Sequence, residues 1–216
     1  MNTELTTQDD NAFLSYAKAV NQQTIVGTLL KFTKYGEWVS GKDEDEIERD
    51  QRFVAVMDQL MVGWQKWSEG KPAEQEAGLI AECYRPPSRK DLGDNDETEW
   101  ERDERGDPRD PWQKTNWLIL KEEAGDALFT WSPSSKGGLS AIGQLCERYG
   151  KMIRQKPGQF PVVELQASSY RHERFGKLFV PVLKVVGWTD KANALAALEA
   201  VPNEGNMGED AEDAPF

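Results

Sequence analysis

Two short segments of this chain interleave cations with aromatic rings. The first is Lys31-Phe32-Thr33-Lys34-Tyr35-Gly36-Glu37-Trp38 and the second is Tyr170-Arg171-His172-Glu173-Arg174-Phe175-Gly176-Lys177. Cations along a groove meet phosphates, and ring faces take stacked bases of any identity at about 1–3 kcal/mol per base. The candidate contacts for a single-stranded nucleic acid are therefore Lys31, Lys34, Tyr35, Trp38, Tyr170, Arg171, Arg174, Phe175 and Lys177. Phe53, Trp117, Phe129, Phe179 and Trp188 are expected to pack the core instead.

Little else points to chemistry. The one histidine, His172, lies in a charged segment and is expected to be solvated. No paired His and Cys spacing suggests zinc. The carboxylates at 43–50 and 94–110 are numerous enough for Mg²⁺, but they lie in charge runs with too few apolar residues between them to wall off a site. We therefore expect no catalytic residue, no metal, no cofactor and no enzyme, with a nuclease as the minor alternative. Ser134-Ser135-Lys136-Gly137-Gly138 precedes a helical pattern, and free amides there could take a phosphate. The segment lacks P-loop spacing, and its plainer reading is a helix N-cap.

The elements that must position these residues follow from the rest of the chain. Its 216 residues carry a net charge of −12, which at first argues against a polyanionic ligand. The charge is uneven. Residues 42–50 carry −4, residues 91–110 carry −7 and the stretch from Pro202 onward carries −5, which leaves +4 for the remainder. Residues 144–191 hold nine bases (Arg148, Lys151, Arg154, Lys156, Arg171, Arg174, Lys177, Lys184 and Lys191) against four acids. No run of about eighteen apolar residues suggests a membrane span. The first residues lack the basic and apolar regions of a secretory signal. The two cysteines, Cys83 and Cys146, read as buried thiols in a reducing compartment. A cytoplasmic protein with no membrane partner is the expectation, and a homo-oligomer stays open.

The last fourteen residues, 203–216, hold five carboxylates and no Lys or Arg, and end on Ala214-Pro215-Phe216. Such a run cannot bury enough apolar surface to fold, so a solvated tail is expected. This tail resembles the acidic tip of phage and bacterial single-stranded-DNA-binding proteins, in which an acidic run precedes a terminal Phe. The matching residues are Glu209, Asp210, Glu212, Asp213, Pro215 and Phe216, with Ala214 where an aliphatic residue is common. The resemblance implies sequence-independent binding of single-stranded DNA in replication or recombination, and a tail that recruits partner proteins of that machinery. Two rivals remain: an acidic DNA mimic that inhibits a protein, and a protein-binding adaptor with no nucleic acid ligand.

Hydrophobic periodicity predicts a short helix at 11–20 and a strand at 24–32 bent at Gly27. It predicts one long strand region at 51–67 and a strand at 75–84. Residues 88–111 read as a weakly structured polar loop. A hairpin follows over 112–121 and 127–132, then a helix from Leu139 to about Gln155. Strands at 161–167 and 177–187 flank a basic loop at 168–174, and a short Ala-rich helix or linker spans 191–200. This is a mainly β, α+β chain. A helix before the last two strands maps it onto an oligonucleotide-binding-fold-like barrel with an added hairpin and a long acidic loop. The expected divisions are a tail with a short helix (1–22), one such domain (23–190), and a linker with the acidic tail (191–216).

Overall fold

The computed structural model describes residues 25–103, 105–174 and 176–200. The candidate helix at 11–20, Phe175 and the six tail residues named above lie outside the described residues.

Ten strands form one sheet. They are β1 (Thr28–Phe32), β2 (Trp38–Ser40), β3 (Asp45–Glu46), β4 (Arg52–Ala55), β5 (Met61–Ser68), β6 (Lys71–Leu79), β7 (Trp112–Glu122), β8 (Leu128–Trp131), β9 (Gln159–His172) and β10 (Gly176–Asp190). Among the described residues there are two α-helices, α1 (Lys136–Met152) and α2 (Lys191–Glu199). The spatial order is β10-β9-β4-β7-β8-β1-β2-β3, with β5 pairing on β7 and β6 on β5. Among the described residues only the β1–β8 pair is parallel. The protein is mainly β, and its sheet curls into a half-barrel. No helix among the described residues is long and apolar enough to cross a membrane.

The core lies inside the curl. Phe53, Leu118, Leu120, Phe160 and Val163 are fully enclosed, and Leu30, Trp131, Ile142 and Leu145 join them. Each such side chain contributes about 1.5–3 kcal/mol of burial. The α1 residues Gly138, Ala141, Ile142, Leu145 and Tyr149 make its buried face at helical spacing, and the helix packs on β10 and β7. The Ser135 side chain accepts a bond from the Gly138 amide at 3.2 Å, so the segment before α1 does act as an N-cap. Gly27 comes just before β1. Its φ of +70° and a Cβ position 2.0 Å from the Leu128 carbonyl oxygen leave room for glycine alone.

Several expected elements differ. The 51–67 region is two strands, broken by a 3₁₀ turn at Met57–Gln59, where the Val56 amide turns to the Ile119 carbonyl. Both flanks are apolar, so periodicity cannot reveal the break. Cys83 is exposed rather than buried, in a turn after β6 at φ +62°. The 168–174 loop is mostly ladder: Ser168 pairs Val180, Ser169 pairs Phe179, Tyr170 pairs Leu178 and Arg171 pairs Lys177. The pairing runs past the core, where no face is buried, so the burial alternation that marks a strand in sequence is lost.

The acidic 88–111 segment is also ordered. The Arg89 guanidinium grips the Asp110 carboxylate at 2.7–2.9 Å and donates to the carbonyls of Gly93 and Asp94. The Trp100 indole donates to the Asp94 carbonyl at 2.7 Å. The Asp94 carboxylate takes the Trp112 indole at 2.9 Å and the Lys66 ammonium at 3.1 Å. These two donors, Trp112 first, hold its carboxyl below the usual range. The segment folds back on β5 and β7 because its acids serve as acceptors for indoles and cations, a role that composition does not reveal.

One contact ties the two ends of the curled sheet. Trp38 of β2 packs edge-on to Trp131 and Phe32, with ring centroids at 4.8 and 5.1 Å. Its indole N–H donates to the Gln166 carbonyl of β9 at 2.9 Å. That carbonyl lies beyond the last β4–β9 pair, Arg52 with Glu164, where β9 has no neighbour on that edge. Trp38→Phe should lower stability in urea unfolding by about 2 kcal/mol, from the unpaired carbonyl and the volume lost. An unchanged midpoint would show that the tie holds nothing.

Candidate nucleic-acid interface

Beyond the half-barrel, β9 and β10 continue as a two-stranded arm. Residues opposite each other on paired strands share a face, and the faces alternate along the strand. Val163 with Val185 and Leu165 with Leu183 point into the core. Continuing that alternation outward places Ser169 with Phe179, and then Arg171 with Lys177, on the same inner face. Tyr170 pairs with Leu178 and belongs to the outer face. The aromatic and the cations of this segment, adjacent in sequence, are therefore split between two sides of the arm.

The β1–β2 turn meets the inner face. Thr33 and Gly36 close it through backbone bonds, and the Thr33 hydroxyl accepts the amides of Tyr35 and Glu37. Gly36 has φ +87°, and a Cβ there would lie 2.5 Å from the Phe179 ring. Only glycine lets this turn press against β10. The contact brings Lys34 and Tyr35, the tip of the turn, beside the arm. Tyr35 is 66 % exposed with the Lys34 ammonium 5.2 Å from its ring centroid, and the Lys177 ammonium stands 4.6 Å over Phe179.

The sequence candidates sort as follows. Lys34 and Tyr35 sit in the turn that meets Phe179 through Gly36, Lys177 stands over the Phe179 ring, and Arg171 is opposite Lys177. Tyr170, 50 % exposed, faces the other way. Arg174 lies in the turn at the arm's tip, where its amide donates to Nδ1 of His172 at 3.1 Å. Two candidates are withdrawn. Trp38 is 4 % exposed and serves the core tie, because its ring fills the seam between sheet ends. Lys31 points away from the core-facing Leu30 and Phe32, its side chain is 12 % exposed, and Glu44 holds it at 3.6 Å. Phe179, assigned to the core, is only half-buried and lines the interface. Its register with Ser169, two steps beyond the last buried pairs, is the signal that could have found it.

Arg171 and Lys177 are directly opposite each other, and neither has a carboxylate partner among the described residues. Like charges in that position destabilise a strand pair. Several cations elsewhere are matched: Arg52 and Lys184 with Glu164, Lys66 with Glu74 and Asp94, and Lys191 with Asp58. The inner face of the arm thus carries two opposed cations with no carboxylate partner among the described residues. No group of His, Cys, Asp or Glu among the described residues is arranged to hold a metal ion. No protein family, curated protein or solved structure matches this chain.

Gly36→Ala should lower stability by about 1–2 kcal/mol, from the positive φ and the clash with Phe179. Thermal unfolding measures it, and an unchanged midpoint would mean that Phe179 does not brace the turn.

Proposed function

We propose that the protein binds single-stranded DNA without sequence preference, along the inner face of the β9–β10 arm and the tip of the β1–β2 turn. The observation that carries this reading is the uncompensated Arg171–Lys177 pair beside the rings of Phe179 and Tyr35. A polyanion relieves the repulsion, and unstacked bases have ring faces to lie on. The sequence order and the resemblance of the tail support the same reading.

The fold is compatible with it. Taking β4, β7, β8, β9 and β10 as first to fifth, the spatial order is fifth, fourth, first, second, third, with α1 before the fourth. A fourth strand returning to lie beside the first is a Greek key. A five-stranded Greek-key barrel is the oligonucleotide-binding fold, and the loop between its last two strands is one that holds the ligand. In this frame that loop is the arm. The remaining strands are then additions: β1 to β3 along the seam, and the β5–β6 hairpin between the first and second strands. On this reading the protein serves replication or recombination, and its acidic tail brings partner proteins to the covered strand.

The pair Arg171→Ala/Lys177→Ala should weaken binding of labelled oligo-dT and make the slope of log K against log [salt] shallower by about 1.4, two phosphates at about 0.7 each. The same variant should be no less stable than the parent, because a like-charge pair is gone. Unchanged affinity and slope would overturn the site. Removal of Pro215 and Phe216 should leave oligo-dT affinity unchanged while abolishing capture of replication or recombination proteins. Equal capture by both forms would refute the role given to the tail.

A further inference from the structure

A second cationic surface lies at the other end of β9. That strand makes thirteen steps from Gln159 to His172, about 43 Å at roughly 3.3 Å per step. At its foot α1 ends, exposing Arg148, Lys151 and Arg154, with Lys156 half-buried on the link to β9. Lys151 pairs with Glu147 one turn back, whereas Arg148 and Arg154 have no carboxylate partner among the described residues. The helix dipole favours cations in the last turn, and Lys151 already meets that demand. Lys156 stands 5.9 Å over the ring of half-buried Trp188, which stacks on Tyr149 at 6.3 Å and 18°. Ile153 is 42 % exposed among these cations. The foot of the arm therefore repeats the chemistry of its tip: unmatched cations beside an aromatic surface.

We propose that this foot is a second phosphate-contacting surface for the same single strand, engaged only by strands long enough to run from the tip down the arm. The inference rests on the single-strand reading above. It makes the occluded length of DNA a property of β9 and α1 together. Even at the stacked spacing of about 3.4 Å per nucleotide, about sixteen nucleotides cover roughly 50 Å and reach the foot, whereas about five do not.

The test compares the full chain with Arg148→Ala/Arg154→Ala on oligo-dT of about five and about sixteen nucleotides, over a range of salt. Alanine favours helix, so the variant should fold, and circular dichroism checks it. The short oligomer should bind both proteins alike. The long one should bind the variant about five- to tenfold more weakly, with a salt slope shallower by about 1.4. Equal binding of the long oligomer, or equal weakening at both lengths, would overturn the second surface. Failure of the parent protein to bind either length would instead refute the single-strand reading itself, and this inference with it.

Discussion

The interface depends on how the curled sheet is closed. Its two ends carry the β1–β2 hairpin and the β9–β10 arm, and no ladder joins them. Trp38 crosses the gap through one indole bond to the Gln166 carbonyl, and Gly36 lets the turn press on Phe179. A single hydrogen bond contributes only about 1 kcal/mol net. The packing of Trp38 against Trp131 and Phe32 supplies the rest and makes the bond a fixed point. With that seam closed, the turn that carries Lys34 and Tyr35 meets the strand that carries Lys177, opposite Arg171. Without it the two clusters would belong to separate pieces of surface.

Electrostatics then separates two kinds of acid and two kinds of base. The net charge of −12 comes largely from residues 42–50, 91–110 and 202–216. In 88–111 the carboxylates of Asp94 and Asp110 are used to fold the segment against β5 and β7, through indole and guanidinium donors. Over the barrel, Glu44 and Glu164 neutralise Lys31, Arg52 and Lys184. Arg171 and Lys177 on the arm, and Arg148 and Arg154 at its foot, have no carboxylate partner among the described residues. Two opposed like charges on one ladder carry a local cost, and the proposed single-stranded ligand would offset it.

Much of the architecture was legible in sequence. The strand–helix–strand order, the hairpin over β7 and β8 and the N-cap before α1 all follow from periodicity and turn chemistry. The interface was legible only in part. Sequence shows where cations and rings are adjacent, but on a strand adjacent residues point to opposite faces. Tyr170 and Arg171 look like one contact in sequence and are two sides of the arm in space. Trp38 looks like a stacking ring because polar residues surround it, yet its partners Trp131 and Gln166 are about one hundred residues away. The arm itself reads as a loop because the ladder outruns the core, and burial is what writes the two-residue period into a strand.

The most direct test of the account is the anisotropy of labelled oligo-dT, titrated with the full chain beside a duplex of equal length at low and high salt. The account predicts tight binding of the single strand at low salt, a much weaker response to the duplex, and loss of binding as salt rises. No binding of the single strand at low salt, or an equal preference for duplex, would contradict it.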